Sequence, residues 1–269
     1  MQIETTQIKV YLPFLFVTFL AVLSSSLLNA ADREKEKRIA TQSLQTLFVG
    51  EPIWLKHNKV EESSEFLGLL TTSSVAHFSI IMVHGTGQGP DTSYLIGPLR
   101  EILSEKKCNT LSIQMPVLSD KAVYKDYLRE FPAARNRIEA AITYLLSTQP
   151  NIPIIIVAHS MGSSMMMDWA SQSGAANVHA LVAIGLGAIN EEHLLSMTFS
   201  PDKINVPVLD LFGEKDYEAV LWSAPIRKKN ISSTNRKSRQ MTVMKADHFF
   251  NNMEEDTADI IWSWLGALN

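Results

Sequence analysis

The sequence predicts an α/β protein: a mostly parallel central sheet, helices on both faces and no large cap domain. Three observations point there. Strand-like and helix-like segments alternate through most of the chain, and such alternation builds parallel strands joined by crossover helices. Segments such as "IPIIIVAHS" are apolar along their whole length, as strands buried on both faces are. Finally, the stretch "NEEHLLSMTFSPDK" between two late strands has room for a helical turn or two, too little for a cap.

The chain has 269 residues, enough for one large domain with a full hydrophobic core. A net charge of −4 leaves no basic footprint, so nucleic acid is not an expected partner. Residues 1–31 read as a signal peptide or an N-terminal anchor. Lys9 precedes the apolar run "VYLPFLFVTFLAVL", and small residues follow before a charged stretch. Cleavage after Ala30 or Ala31 would place Leu28 or Asn29 at the −3 position, which is not a clean signal. The run falls short of the roughly 20 apolar residues a membrane span needs, and Pro13 within it argues against a buried core helix. The expected location is therefore periplasmic or secreted, the alternative being an inner-membrane anchor over residues 10–28, with any membrane association confined to this segment. Cys108 is the single cysteine, so no internal disulfide forms. No histidine lies near it, and it reads as a small, partly buried residue rather than a nucleophile.

Residues 32–50 form an N-terminal helical segment, in which "RIATQSLQTLF" has a short amphipathic pattern and either packs on the domain or tethers it. The domain itself spans 51–269. It opens with two short strands, "PIWLKH" and "EFLGLLTTS", then the apolar strand "HFSIIMVHG". A helix follows in "SYLIGPLREILSEKK", then the strand "NTLSIQMP", closed by proline. "EFPAARNRIEAAITYLLSTQ" is strongly amphipathic, with Ile138, Ala141, Ile142 and Leu145 on one face. The buried strand "IPIIIVAHS", the helix "SSMMMDWASQS" and the strands "VHALVAIGLGA" and "VPVLDLFGEKD" come next. The helix "YEAVLWSAPIRKK", the strand "RQMTVMKAD" and the amphipathic helix "EEDTADIIWSWLGAL" end the chain.

The stretch "AHSMG" has the form of a nucleophile elbow, G-x-S-x-G, with Ala158 in place of the first glycine. An elbow sets its serine on a sharp strand-to-helix turn, so the residues two positions away must be small. Gly162 keeps the second of these positions, and the helix N-terminus aims backbone N–H groups at the site. Asp216 and His248 follow in the order Ser, Asp, His, each after a strand and each on the edge that carries Ser160. In these roles His248 is the general base for Ser160, and Asp216 orients the imidazole. The oxyanion donors are the N–H of Met161 and the N–H of Thr86, where Gly85 lets the chain approach closely. His84 lines that loop and His159 flanks the elbow, both structurally. Plainer readings exist for each member. Ser160 could cap a helix, Asp216 could cap the next one, and His248 could be an ordinary core residue. Asp247 and Asp210 are rival acids, the first adjoining His248 in sequence and the second lying deeper on its strand. His57, His77, His179 and His193 show no metal-ligand spacing, and no metal or organic cofactor is expected. "MMMDW" reads as core packing and pocket wall. Trp222, Phe249 and the elbow methionines suggest an apolar acyl pocket.

With the elbow and the ordered Ser160, Asp216 and His248, the chain resembles the α/β-hydrolase superfamily over nearly all its length after the leader. On "EFLGLL", "HGTGQGPDTSYLIGPLREIL" and "NTLSIQMP" it resembles, more narrowly, an exported proteobacterial group of α/β-hydrolases without an assigned function, and more distantly dienelactone-hydrolase-like and small carboxylesterase proteins. The resemblance implies an eight-stranded sheet and a triad at Ser160, Asp216 and His248. The expected activity is that of a serine hydrolase of carboxylesterase type acting through an acyl-enzyme on a small-molecule acyl substrate. The alternative is an exported binding or scaffold protein on the same fold with little catalysis. Whether His248 reaches both Ser160 and Asp216 discriminates the two.

Overall fold

The computed structural model describes residues 31–56, 65–187 and 203–268. The leader, His57, His193 and most of the segment 190–203 lie outside them. Among the described residues the chain runs α1 (Arg33–Thr46), β1 (Glu51–Lys56), β2 (Glu65–Thr71), β3 (Phe78–Val83), α2 (Ile96–Glu105) and β4 (Cys108–Ile113). A 3-10 helix, Tyr124–Glu130, leads into α3 (Phe131–Thr148). Then come β5 (Ile154–His159), α4 (Met161–Ser173), β6 (Ala180–Ile184), β7 (Val208–Lys215), α5 (Glu218–Thr234), β8 (Arg239–Asp247) and α6 (Glu254–Gly266).

The eight strands form one sheet in the order β1-β2-β4-β3-β5-β6-β7-β8. β1 and β2 pair antiparallel with each other, β2 pairs antiparallel with β4, and every later pairing is parallel. β3, β4 and β5 are buried at every residue, which is why their sequences do not alternate. Each face of the sheet has its own apolar core. On one, Leu95 just before α2, Leu99 of α2, and Ile261 and Leu265 of α6 lie against Ile80, Met82, Ile155 and Val157. On the other, α3 and α4 supply Ile138, Leu145, Met165 and Trp169 against Ile81, Val83 and Ile156. The stripe Ala134, Ile138, Ala141, Ile142 and Leu145 lies buried along α3, at the spacing of one helix face.

Three elements differ from the sequence reading. α1 starts at Arg33, five residues earlier than its apolar pattern, because the Asp32 side chain accepts a hydrogen bond from the Lys35 N–H at 2.9 Å and caps the helix. The 3-10 helix was not expected. α5 continues through Pro225 to Thr234, held by an Arg227–Asp210 ion pair of 2.9 Å beneath it. Only residues 185–207 separate β6 from β7, so no large cap interrupts the sheet. Among the described residues no helix is long and apolar enough to cross a membrane.

Candidate active site

Ser160 sits between the end of β5 and the start of α4 with φ 54° and ψ −122°. A side chain at positive φ is strained, and such residues persist only where their surroundings hold them. Here the Ser160 N–H donates to Ile184 O at 2.8 Å, and the Ser163 N–H donates back to Ser160 O at 3.0 Å. The Ser163 hydroxyl, fully buried, bonds Ala158 O, Ile184 O and the Ile184 N–H. It stitches the elbow to β6, a role the sequence did not reveal. The Ser160 hydroxyl makes no helix-capping bond. It lies 2.9 Å from His248 Nε2 instead.

Gly162 permits the crowding. A Cβ there would stand 2.5 Å from His84 O and 2.7 Å from Val83 O. Ala158 is fully buried in the apolar core under α3 and α4, in register with Val83 and Ala183 of the flanking strands. Its methyl packs there, which is how the elbow tolerates the missing glycine.

His248 and Asp216 follow β8 and β7 at the same sheet edge. His248 Nδ1 lies 2.6 Å from Asp216 Oδ1. The carboxylate can only accept, so Nδ1 carries the proton and Nε2 presents a lone pair to the Ser160 O–H. Asp216 is itself fixed, accepting from the Tyr217 N–H at 2.8 Å and the Gly213 N–H at 3.2 Å. The Tyr217 ring stacks on His248 at 4.0 Å between centroids, and Phe249 meets it edge-on at 5.5 Å. Gly185, at φ +59°, leaves room beneath the imidazole, where a Cβ would come within 3.0 Å of Cε1. His159 donates from Nε2 to the His248 carbonyl at 2.8 Å. Burial pushes the His159 pKa down to about 4, so it holds the backbone of His248 as a neutral ring.

The rival acids are otherwise engaged. Asp247 accepts from the Phe249 N–H and the Asn251 amide, and Asp210 pairs with Arg227 and Gln240.

Around the loop after β3, Gly85 lies against the serine. A Cβ on Gly85 would be 3.1 Å from Ser160 Cβ. His84 is buried, with its pKa pulled down to about 4 by that burial. Its Nδ1–H donates to Gly85 O at 2.8 Å, while Nε2 accepts from the Met115 N–H at 2.9 Å. The Gly85–Thr86 peptide is trans, so its carbonyl and N–H point opposite ways. With the carbonyl bound to His84, the Thr86 N–H is turned away from that ring. The Met161 N–H is the first of α4 and has no partner within the helix.

The helix α1 braces this loop, a function not visible in its sequence. A Cβ on Gly89 would meet Ile39 Cγ2 at 2.4 Å. Glu36 forms a 2.7 Å ion pair with Arg137 of α3, and Arg137 donates to Gln114 O at 3.0 Å. The Gln114 amide reaches His84 Nε2 at 3.3 Å. Asp91, at the far end of the loop, pairs at 2.7 Å with the fully buried Arg100 of α2. Parts of "HGTGQGPDTSYLIGPLREIL" and "NTLSIQMP" thus form one support around His84 and Gly85.

Among the remaining residues, Met161, Met165, Met166 and Met167 are buried in the core, and Trp222 is half exposed on α5. Cys108 is fully buried and its thiol is pushed up to about 12, which leaves it inert. No group of three or more His, Cys, Asp or Glu that could hold a metal is present among the described residues.

No protein-family model matches the sequence, and no curated protein matches it. Solved structures do. The chain is similar to Est1E from Butyrivibrio proteoclasticus (14% identity, TM-score 0.60), covering 81% of this chain and 98% of that one. It is similar to the Pyrococcus furiosus esterase Pf2001 (14% identity, TM-score 0.64), covering 84% of this chain and 95% of that one. It is also similar to a dienelactone hydrolase from Anabaena variabilis (18% identity, TM-score 0.58), covering 80% of this chain and 98% of that one. At these identities the likeness establishes the fold, and the fold is that of the α/β-hydrolases.

Proposed function

We propose that this α/β-hydrolase-fold protein is a serine hydrolase of carboxylesterase type, with Ser160 as nucleophile, His248 as general base and acid, and Asp216 as the group that orients and charges against the imidazole. The observation that carries the proposal is the reach of one ring: His248 is 2.9 Å from Ser160 Oγ and 2.6 Å from Asp216 Oδ1. The esterases and hydrolases among its structural neighbours support the same reading.

The geometry supports an acyl-transfer sequence. Ser160 Oγ bonds to the carbonyl carbon of the ester while its proton passes to His248 Nε2. The carbonyl oxygen becomes an oxyanion and is received by the N–H groups of Met161 and Thr86. The tetrahedral species collapses, the bond to the alcohol oxygen breaks, and Nε2 returns its proton to that oxygen. Water then gives a proton to Nε2 and adds to the acyl carbon; the bond to Ser160 Oγ breaks, the carboxylic acid leaves, and Nε2 returns the proton to Oγ. A fluorophosphonate reagent tests the proposal. It labels the native protein on Ser160, and Ser160→Ala abolishes labelling. Equal labelling of both proteins, or none of the native one, overturns the reading.

A further inference from the structure

The rings beside His248 carry one more step, which rests on the serine-hydrolase reading. Tyr94 and Phe249 face each other at 5.2 Å between centroids with 39° between planes, and Tyr217 meets Phe249 edge-on at 6.4 Å. Tyr94 is 46% exposed and Phe249 is half-buried. Their backbone is anchored all the same. The next residue along from each, Leu95 and Phe250, is fully buried in the same apolar core, between α2, α6 and the sheet. The pair joins the loop after β3, which carries Thr86, to the loop after β8, which carries His248.

Reaction chemistry gives that pair a role. The alcohol oxygen of the ester takes its proton from His248 Nε2, so the leaving group must lie against His248 during the step. Tyr217 covers one face of the imidazole and Asp216 its Nδ1 edge. Phe249 stands at the ring's side with Tyr94 beyond it. We propose that Tyr94 and Phe249 form the leaving-group subsite and that it takes esters whose alcohol carries a flat aromatic ring. Ring faces are electron-rich and ring edges electron-poor, so two tilted, partly exposed rings orient a third ring, whereas an alkyl chain gains only burial.

Benzyl acetate and butyl acetate test this, since they share an acyl group and their alcohols have nearly equal acidity. Rates are normalised to enzyme that fluorophosphonate titrates. The wild type is expected to favour benzyl acetate by about tenfold in kcat/KM, the effect of one or two aromatic contacts. Tyr94→Ala brings the two esters to within about threefold of each other, and Tyr94→Phe keeps the preference. The ratio of butyl acetate to butyl hexanoate stays the same in Tyr94→Ala. Equal wild-type rates, a preference that survives Tyr94→Ala, or a change in the acyl-chain ratio instead of the alcohol ratio each overturns the subsite while leaving the hydrolase reading intact. A wild type that takes no label and turns over neither ester overturns both.

Discussion

Ser160 holds a left-handed backbone conformation that few side chains adopt, and its neighbours explain how. Gly162 gives α4 the clearance to approach β3, so Gly162→Ala drives a methyl into the carbonyls of His84 and Val83. The expected cost is about 1–3 kcal/mol of stability, read as a lower midpoint in chemical denaturation, with loss of activity. Ala158→Gly is expected to behave differently: it removes a packed methyl from a strand, lowers stability by about 1 kcal/mol and gains no activity. A rise in activity would show that the alanine burdens the elbow. Asp216→Asn preserves the shape of the site but puts an amide donor opposite Nδ1, which moves the imidazole proton to Nε2. kcat should fall about 10⁴-fold with the circular dichroism spectrum unchanged. A fall of less than tenfold would remove Asp216 from the chemistry. That Ser160, Asp216 and His248 come together at one sheet edge was legible in the sequence, because each follows a strand and parallel strands end on the same side. Ser163 and the Asp91–Arg100 pair were not, because a buried hydroxyl or ion pair leaves no local pattern.

The helices and loops show the same division. α3 and α6 were readable from apolar spacing, and β3, β4 and β5 from their continuous apolar runs. The start of α1 depended on the Asp32 cap rather than on periodicity, and its packing depended on residues far away in sequence. Only the folded chain brings Glu36 to Arg137 and Ile39 to Gly89. The 3-10 helix before α3 carries no signature that separates it from a loop. The bracing by α1 predicts a defined outcome. Glu36→Gln removes the carboxylate paired with the nearly buried Arg137, leaving it Glu130 nearby and the Gln114 carbonyl, and should cost about 1–3 kcal/mol. Thermal unfolding measures this, and a shift within error would mean that α1 is a tether rather than a brace.

Across the whole molecule, two buried histidines couple the fold to pH. His84 and His159 have pKa values lowered to about 4 from an ordinary 6.5. Between those values the unfolded chain binds protons that the folded chain does not, so stability rises with pH there. It is fully present above about 6.5 and is lost as pH falls toward 4, at up to about 3 kcal/mol for each ring. Denaturation midpoints recorded between pH 7 and 4 should fall steeply, and His84→Gln should flatten part of that slope. A flat profile would place a proton on these rings in the folded state. The architecture as a whole was the most legible level, because alternation of elements dictates a parallel sheet and a parallel sheet gathers strand ends at one edge. Acylation of Ser160 at that edge can be caught by rapid mixing with an acetate ester, an acid quench and mass spectrometry of the digested chain. An added acetyl group is expected on the peptide containing Ser160 and none in Ser160→Ala; turnover with no adduct, or an adduct on another residue, means that Ser160 is not the nucleophile.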